Sequence, residues 1–506
     1  MIKRSYIFIA LLFITCTSNN SVTEFDDQVL ATVGEEVITS EEFILNYEFG
    51  FNQNKTGEDQ IRDYLYLMID ELIIAQNGYE LKIDTTQHIK DAISSMMEER
   101  VIEEVFNQEV LNKIEVSEEE IRQEINKAAV SFQLKFMPSM SESHASFLKQ
   151  EIDQKGYDEV LTEYSNEMMA ERPNAGDFTT PFMTSDQINP QLMDIVSDLE
   201  LQTISEPVLY NNQWMLVMVE NIRRTPIAPE DYDQQRETYR KVVYNRKALQ
   251  GAEVFIAQMM EPLDVSTKRA PFQVLSNAFF EWFDIETPTG DLVKKVENGT
   301  ETYHQEIEDI FDETLVTWAS QEWSVRDFLS HFSPGRYQLR TYEAADFKVV
   351  FADVIALVVR DYQLLELAST NQYSESHEVL RDVQLWEQKW VFQETRKAFF
   401  DDLEFNDSVV QEFYLGNPSL FHFNANGVID FVKLSDSMKR QVRSKYLTYH
   451  LKEHANTLRE SFPVSINEKL LAELEVQLKT NASSIQTQLL KQNSNRMAFP
   501  VVDPNW

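Results

Sequence analysis

Glycine, cysteine and basic residues are scarce in this sequence, and each shortage argues against a class of function. The 506 residues include 12 glycines and one cysteine. No glycines form a GxGxxG or GxxxxGK(S/T) pattern, so no loop is built to hold phosphate against backbone amides, which argues against a nucleotide-dependent enzyme. Lys and Arg total 45 against 84 Asp and Glu, for a net charge of −39. A field of that sign repels phosphate backbones, so no nucleic-acid partner is expected.

Apolar and aromatic residues are plentiful, so the acidity does not indicate disorder. Hydrophobic residues make up 43 % of the chain, with 32 Phe, 19 Tyr and 7 Trp, which is enough for packed cores. Because single cores stop growing at about 250 to 300 residues, a chain of this length is expected to form about three domains.

The amino terminus has the pattern of a secretory signal. Lys3 and Arg4 precede a short apolar run over residues 7–14, and a basic start with a brief hydrophobic stretch is typical of a signal peptide. The run is too short to span a bilayer, which takes about 20 apolar residues. Later helix-like stretches all carry charges, so the rest of the chain is expected to lie outside the membrane.

Cys16, directly after that run, resembles the lipidated cysteine of bacterial lipoproteins. In that family the cysteine is diacylated and becomes the new amino terminus. The resemblance implies a signal peptide over 1–15, a lipid anchor at Cys16 and a flexible tether over 16–28. The preceding Phe13-Ile14-Thr15 departs from the family's preference for Leu and small residues. The alternative is a signal cleaved elsewhere, which would leave a secreted protein with one thiol.

The sequence contains an internal repeat. Residues 315–328 align without gaps on residues 30–43, and Ser324 stands in the place of Thr39. In the first copy a short apolar strand, a turn and a return strand lead into a helix with a capping side chain and acidic residues in its first turn. The repeat of this pattern predicts two related modules.

Two further matches extend the repeat. Residues 62–67 recur as residues 360–365, each time ahead of a long helical pattern, and residues 255–265 resemble residues 458–464 near the end of each copy. The apolar positions in the long patterns are spaced by three and four, as in helices that bury one face. The sequence therefore predicts two helical modules, over about 29–278 and 313–478.

The first copy carries an extra segment of mixed secondary structure over 129–224. Residues 130–137 alternate like a strand, residues 142–154 form an amphipathic helical pattern, and residues 214–219 read as a final buried strand. We therefore expect a small α+β domain inserted into the first helical module.

The inserted segment resembles the parvulin class of peptidyl-prolyl isomerases. The signals are Lys-Gly-Tyr-Asp at 155–158, Tyr-Ser-Asn at 164–166, Gly-Asp-Phe at 176–178 and Thr-Ile-Ser-Glu-Pro-Val at 203–208. With the helices on either side, residues 29–270 are similar to the SurA and PrsA group of secreted foldases. In that group an amino-terminal helical arm and a carboxyl-terminal helix form one chaperone domain around the parvulin.

The resemblance implies a fold that is mainly α, with an inserted α+β parvulin-like domain and duplicated SurA-N-like helical chaperone modules. The expected segments, after the signal peptide and tether, are a helical arm over 29–128, the parvulin-like domain over 129–224, a helix completing the first module over 225–278, a connector over 279–312, a second module without a parvulin over 313–478 and a poorly ordered tail over 479–506.

Both histidine positions of the parvulin pocket are substituted in this chain. By the resemblance, Lys135 stands at the first and Met215, after Trp214, at the second, while Ile188 and Leu192 keep an apolar lining. Isomerisation has a barrier of about 18–20 kcal/mol and needs groups that favour the twisted amide. Without the histidines, we expect this pocket to bind more than it catalyses; ordinary strand packing is an equally good reading of Lys135, Trp214 and Met215.

One pair of histidines has the spacing of metal ligands. His450 and His454 lie four residues apart on one helical face. A third ligand is missing, so we read both as solvent-facing and expect no metal and no cofactor.

These observations predict a periplasmic, lipid-anchored chaperone that binds unfolded or nascent envelope proteins and proline-containing segments, and that touches the membrane through its anchor only. One alternative is an active peptidyl-prolyl isomerase in which Lys135 and nearby backbone replace the histidines. A second is a scaffold that docks one dedicated envelope partner.

Overall fold

The computed structural model describes residues 28–168, 178–185, 187–210, 213–226, 229–288, 290–337, 339, 344–421, 429–480, 497–504 and 506. The predicted signal peptide, Cys16 and nearly all of the tether lie outside these residues, as do Gly176 and Asp177. The chain divides into two compact units. Unit 1 comprises Met1–Glu109 and Phe255–Trp506, and unit 2 comprises Val110–Val254.

The elements up to Ile285 include the first hairpin, a run of helices, and the strands and helices of the inserted segment. In chain order they are β1 (Val29–Val33), β2 (Glu36–Thr39), α1 (Ser40–Phe49), α2 (Gln60–Glu80), α3 (Gln87–Glu109), α4 (Glu118–Ala128), β3 (Val130–Ser139), α5 (Glu142–Lys155), α6 (Tyr157–Met168), β4 (Met183–Thr184), α7 (Pro190–Asp198), β5 (Val208–Tyr210), β6 (Gln213–Arg224), α8 (Pro229–Met260), β7 (Ser266–Thr267) and α9 (Arg269–Ile285).

The remaining elements belong to unit 1 and are mostly helical. They are α10 (Leu292–Asn298), α11 (Thr302–Glu308), β8 (Thr314–Trp318), β9 (Gln321–Ser324), α12 (Val325–His331), α13 (Ala344–Thr370), α14 (His377–Asp402), α15 (Asp407–Gly416), α16 (Asp436–Leu458), β10 (Val464–Ile466) and α17 (Glu468–Thr480). The predicted fold class, mainly helical with a smaller inserted α+β domain, is confirmed.

The two copies of the repeat open in the same way. Hairpin β1–β2 leads into α1, where Thr39 accepts from the Glu42 amide and Glu42 accepts from the Thr39 amide. Hairpin β8–β9 leads into α12 through the same reciprocal pair of bonds, with Ser324 as the cap. These capping boxes satisfy amides that the first helical turn leaves free. The alignment of Ser324 on Thr39 is therefore confirmed.

The two copies exchange their closing strands. The first hairpin is completed by β10, which pairs with β1 in the sheet order β10-β1-β2, whereas β7, after α8, completes the second hairpin in the order β7-β8-β9. The amide of Gly34 donates to Pro463 O at 3.0 Å, and the amide of Ala319 donates to Leu263 O at 2.7 Å. The sequence predicts that residues 225–278 complete the first module, but β7, which lies within that range, pairs with the second hairpin.

The long helices of both copies pack into a single helical body in unit 1. Helix α14 packs against both α2 and α3, and α13 packs against α3 and α9. The joint between α2 and α3 and the joint between α13 and α14 both contain a left-handed residue, Lys82 and Gln372, each with φ of 59°. The contact between α2 and α14 is closest at Gly78, where an added Cβ would lie 2.2 Å from Thr395 Oγ1.

The end of the chain differs from the predicted tail. Helix α17 runs to Thr480, and residues 497–504 and 506, called here the C-terminal segment, pack into unit 1. Val501, Val502 and Asp503 are buried. The packing of this segment could not be predicted from the sequence, because the segment contains two prolines and has no helical or strand periodicity.

Unit 2 contains an antiparallel sheet with helices on both faces. The strand order is β4-β3-β6-β5, and β3 pairs with β6 along its whole length. Helices α5 and α6 cover one face, and α7 covers the other. Each face has its own apolar cluster, because successive side chains of a strand point to opposite sides.

Candidate peptide-binding sites

The structure divides the five predicted pocket residues of unit 2 between two faces of the sheet. Ile188, Leu192 and Met215 lie together on the side of α7, and that apolar cluster is called here the α7 face. Trp214 alternates with Met215 along β6 and so shares the opposite side with Leu216. That side is covered by α5 and α6.

Lys135 also lies on the side of α5 and α6. Its Nζ is 5.1 Å from the ring centre of Tyr157, and Tyr157 packs in the apolar cluster on that side. The residues of β3 that face α7 are Phe132, Leu134 and Phe136. The placement of Lys135 could have been found from strand alternation, because the two residues on either side of it are apolar and share the opposite face.

The Lys135 ammonium is held by two carboxylates. Its Nζ lies 2.9 Å from Asp158 Oδ1 and 2.7 Å from Glu220 Oε2, with 13 % of the side chain exposed. Burial lowers the pKa of Lys135, but hydrogen bonds to Glu220 and Asp158 outweigh it and raise the pKa above the usual value. A cation so paired joins β3 to α6 and β6, and it is not available to polarise a peptide on the α7 face.

The α7 face is apolar with a half-buried rim. Its buried core is formed by Leu134, Ile188, Leu192, Val196, Val217 and Val219. The partly buried residues packed around that core are Phe132, Phe136, Met183, Met193, Leu199, Val208, Tyr210 and Met215. Among these described residues tyrosine is the only titratable type, so the face offers apolar contact and adaptable methionines but no acid–base pair.

Unit 1 contains an open crevice of about 770 Å³. It is lined by β2, α1, α2, α3, the start of α14 and residues 499–501. The volume lies within the range of about 300–1,000 Å³ that is common for ligand sites. Apolar groups such as Leu45, Met68 and Leu385 share the walls with charged groups such as Glu71 and Lys389.

The C-terminal segment forms one wall of that crevice and is bound through its backbone. Asn46 Nδ2 donates to Pro500 O at 3.0 Å, and Asn46 Oδ1 accepts from the Val502 amide at 3.0 Å. Asn54 Nδ2 donates to Asp503 O at 2.8 Å. The two asparagines therefore bind three backbone groups along the segment.

Two ion pairs lie beside the segment. Asp503 Oδ1 is 2.9 Å from Arg396 Nη1, and Glu71 Oε2 is 2.7 Å from Lys389 Nζ. Glu71 Oε1 also accepts from the Asp503 amide at 2.7 Å and from Trp506 Nε1 at 3.0 Å. These contacts combine backbone recognition with one site for an acidic side chain.

The predicted histidine pair lies among aromatic rings. The His454 ring stacks on Phe399 at 4.6 Å, and the His450 ring lies 4.5 Å from Tyr446. Burial lowers the pKa of His454. Within the described part of the chain no group of three or more His, Cys, Asp or Glu residues is arranged to hold a metal, and no helix there is both long and apolar enough to cross a membrane.

Comparisons with known proteins give distant structural neighbours. No family model and no curated protein matches the sequence. The chain is similar to the peptidyl-prolyl isomerase PrsA of Bacillus cereus, at 12 % identity over 45 % of this chain and 88 % of that one, with a TM-score of 0.22. It is also similar to a SurA-like chaperone of Campylobacter jejuni, at 15 % identity over 48 % and 100 %, with a TM-score of 0.22.

A third neighbour is the foldase protein PrsA of Streptococcus pneumoniae. The identity is 11 % over 42 % of this chain and 85 % of that one, and the TM-score is 0.20. At TM-scores this low the whole chains do not superpose, and the likeness by itself carries no conclusion about function.

Proposed function

We propose that this protein is an extracytoplasmic chaperone that binds unfolded polypeptides, and that its α+β unit binds them without efficient prolyl isomerisation. The observation that carries the proposal is the α7 face. It presents partly buried aromatic and methionine side chains around an apolar core, as promiscuous binding surfaces do. Nascent envelope proteins and their proline-containing segments are the proposed clients.

The α7 face also explains why turnover is expected to be weak. The resemblance assigns Lys135 and Met215 to the positions that hold histidines in active parvulins; Met215 lies on this face, whereas Lys135 lies on the other and pairs with two carboxylates. Contacts that stabilise the planar and the twisted peptide equally lower no barrier, and among the residues named for the α7 face none carries a charge that would favour the twisted form. The alternative of an active isomerase would have to use groups other than these.

An aggregation assay with a matched pair of methionine variants tests the binding function. Met193 lies in the rim of the α7 face, whereas Met140, in the same unit, is 68 % exposed and outside that cluster. We expect the wild type and Met140→Glu to suppress light scattering by several unrelated, chemically unfolded clients, and Met193→Glu to lose most of that effect. Equal suppression by both variants would exclude the α7 face. A scaffold for one dedicated partner would suppress none of the clients.

Exchange of an Ala-Pro peptide tests the catalytic part of the proposal. The uncatalysed reaction takes tens to hundreds of seconds, so even modest acceleration is measurable. We expect no acceleration beyond about twofold at micromolar protein. A large acceleration that Met215→Ala removes would instead establish an enzyme with an altered pocket.

We further propose that Cys16 is lipidated and anchors the protein to a bacterial envelope membrane from the periplasmic side. The support is the sequence pattern alone, a basic start and short apolar run ahead of the single cysteine. We expect Cys16→Ser to move the protein from the membrane fraction to the periplasmic fraction. A mature amino terminus at another residue would exclude this anchor.

A further inference from the structure

The C-terminal segment is held in unit 1 much as a receptor holds a peptide. Side chains from α1, from the turn after it and from α2 bind its main chain: Asn46 binds two backbone groups, Asn54 one, and Glu71 the amide of Asp503. Recognition of an extended backbone by hydrogen bonds provides affinity that depends little on the sequence bound.

Aromatic contacts anchor both ends of the segment. The Phe499 ring meets Phe49 edge to face at 5.6 Å, and the Trp506 ring stacks on Phe392 at 5.8 Å. The Trp506 indole also donates to Glu71. Buried aromatic anchors usually carry much of the energy of a peptide interface.

The segment does not fill the space next to it. Phe499, Pro500 and Val501 line the open crevice of about 770 Å³, so a binding volume continues beyond the residues that now occupy the site. Arg396, which pairs with Asp503, adds a preference for an acidic side chain between the two aromatic anchors.

We propose that the surface that holds the C-terminal segment, together with the crevice beside it, is a receptor for extended polypeptide segments in which aromatic residues flank prolines and an acidic residue, and that the C-terminal segment is its intramolecular occupant. A segment of this chemistry from another polypeptide binds by displacing residues 499–506. The proposal rests on the chaperone function and adds to it a class of client sequence and a means of self-competition.

Covalent attachment makes the occupant a strong competitor. A tethered ligand acts at an effective concentration that reaches millimolar values for short flexible tethers. The apparent affinity for an added peptide is then the intrinsic affinity multiplied by the fraction of molecules whose site is empty. Weakening the occupant should therefore tighten the binding of the added peptide, which is the opposite of what loss of a structural contact would do.

A fluorescence-anisotropy titration on the full chain tests the proposal. The probe is a labelled peptide with the sequence of residues 497–506, Met-Ala-Phe-Pro-Val-Val-Asp-Pro-Asn-Trp. Trp506→Ala weakens the occupant while the probe keeps its own Trp, so we expect this variant to bind the probe at least about tenfold more tightly than the wild type. Phe147→Ala, which removes an exposed aromatic of unit 2, should bind like the wild type.

A second substitution shows whether the probe uses the same site. In the Trp506→Ala chain, Asn54→Ala removes a group that binds the segment backbone, and we expect it to reverse most of the gain. Circular dichroism confirms that each variant is folded, and if Trp506→Ala does not fold, Phe499→Ala replaces it with the same expectation. Equal probe affinity in the wild type and the weakened variant, or a gain that Asn54→Ala leaves intact, would overturn the proposal. Neither result would contradict the proposed chaperone function, because that function is assigned to the α7 face of unit 2 and is tested separately by client aggregation.

Discussion

Glu71 of α2 and Lys389 of α14 form an ion pair that is almost closed to solvent. Lys389 Nζ lies 2.7 and 2.9 Å from the two carboxylate oxygens, and 13 % and 9 % of the two side chains are exposed. The same carboxylate accepts from the Asp503 amide and the Trp506 indole. One side chain therefore ties a helix of the first copy to a helix of the second and to the end of the chain.

Glu71→Gln should strongly destabilise unit 1. It leaves the Lys389 ammonium buried without a counter-charge, and breaking one partner of a buried pair costs about 3–5 kcal/mol. Urea denaturation measures the loss in the free energy of unfolding. Glu58→Gln, at an exposed position, is the control. Adding Lys389→Met should recover part of the loss, since the unpaired charge is then gone. A loss below about 0.5 kcal/mol would show that water reaches the pair.

Gly78→Ala should destabilise the contact between α2 and α14. The new Cβ would lie 2.2 Å from Thr395 Oγ1 and 2.6 Å from Val391 Cγ1, both on α14. Overpacking of this kind costs about 1–3 kcal/mol. Gly416→Ala is the matched control, because nothing lies within 4 Å of its added Cβ. Thermal unfolding compares the two, and Thr395→Ala should partly rescue Gly78→Ala.

A fragment of residues 29–278 should lack a protected amino-terminal hairpin. Its β1–β2 pair has lost β10, which supplies the third strand. Hydrogen exchange of the Gly34 amide, which donates to Pro463 O in the full chain, reports on this directly. We expect fast exchange in the fragment and slow exchange once a fragment of residues 279–506 is added. Slow exchange in the first fragment alone would mean that its hairpin is stable without β10.

His304 should make unit 1 less stable at acidic pH. Its ring lies 4.6 Å from Trp282 and 4.5 Å from Tyr303, and both ring nitrogens are buried without a hydrogen-bond partner among the residues that the structure describes. Burial lowers the pKa of His304 below its usual 6.5. The unfolded chain therefore takes up a proton first, and stability falls as pH drops from 6.5 towards the lower folded-state pKa.

Unfolding between pH 8 and pH 5 checks this expectation. His304→Phe keeps a ring in place and removes the titration, so its stability should depend less on pH than that of the wild type. His88→Phe, at an exposed position, is the control for the His-to-Phe substitution itself. If His304→Phe and the wild type lose stability in parallel, another group is responsible.

The repeat was predictable because its signals are local. Thr39 and Ser324 cap their helices with bonds to residues three positions away, and such bonds depend on neighbouring sequence only. The exchange of strands was not predictable from the sequence. Strands β7 and β10 are two and three residues long, and nothing in so short a strand specifies its partner.

The pocket positions show a similar limit. Ile188, Leu192 and Met215 share the α7 face, whereas Lys135 is one residue out of step with Leu134 and Phe136. A shift of one position in a strand moves a side chain to the other side of the sheet. A distant resemblance fixes the order of elements more securely than the register within a strand.

The exchanged strands also bear on how the molecule is made. Residues 29–39 leave the ribosome ahead of helices α1 to α16, and the strand that completes their sheet, Val464–Ile466, follows only after those helices. Until then Leu30 and Val33, which end up fully buried, lack their final cover. Such long-range closure is slow and leaves apolar surface open during biosynthesis. The proposed chaperone would therefore itself expose apolar surface until this strand is made.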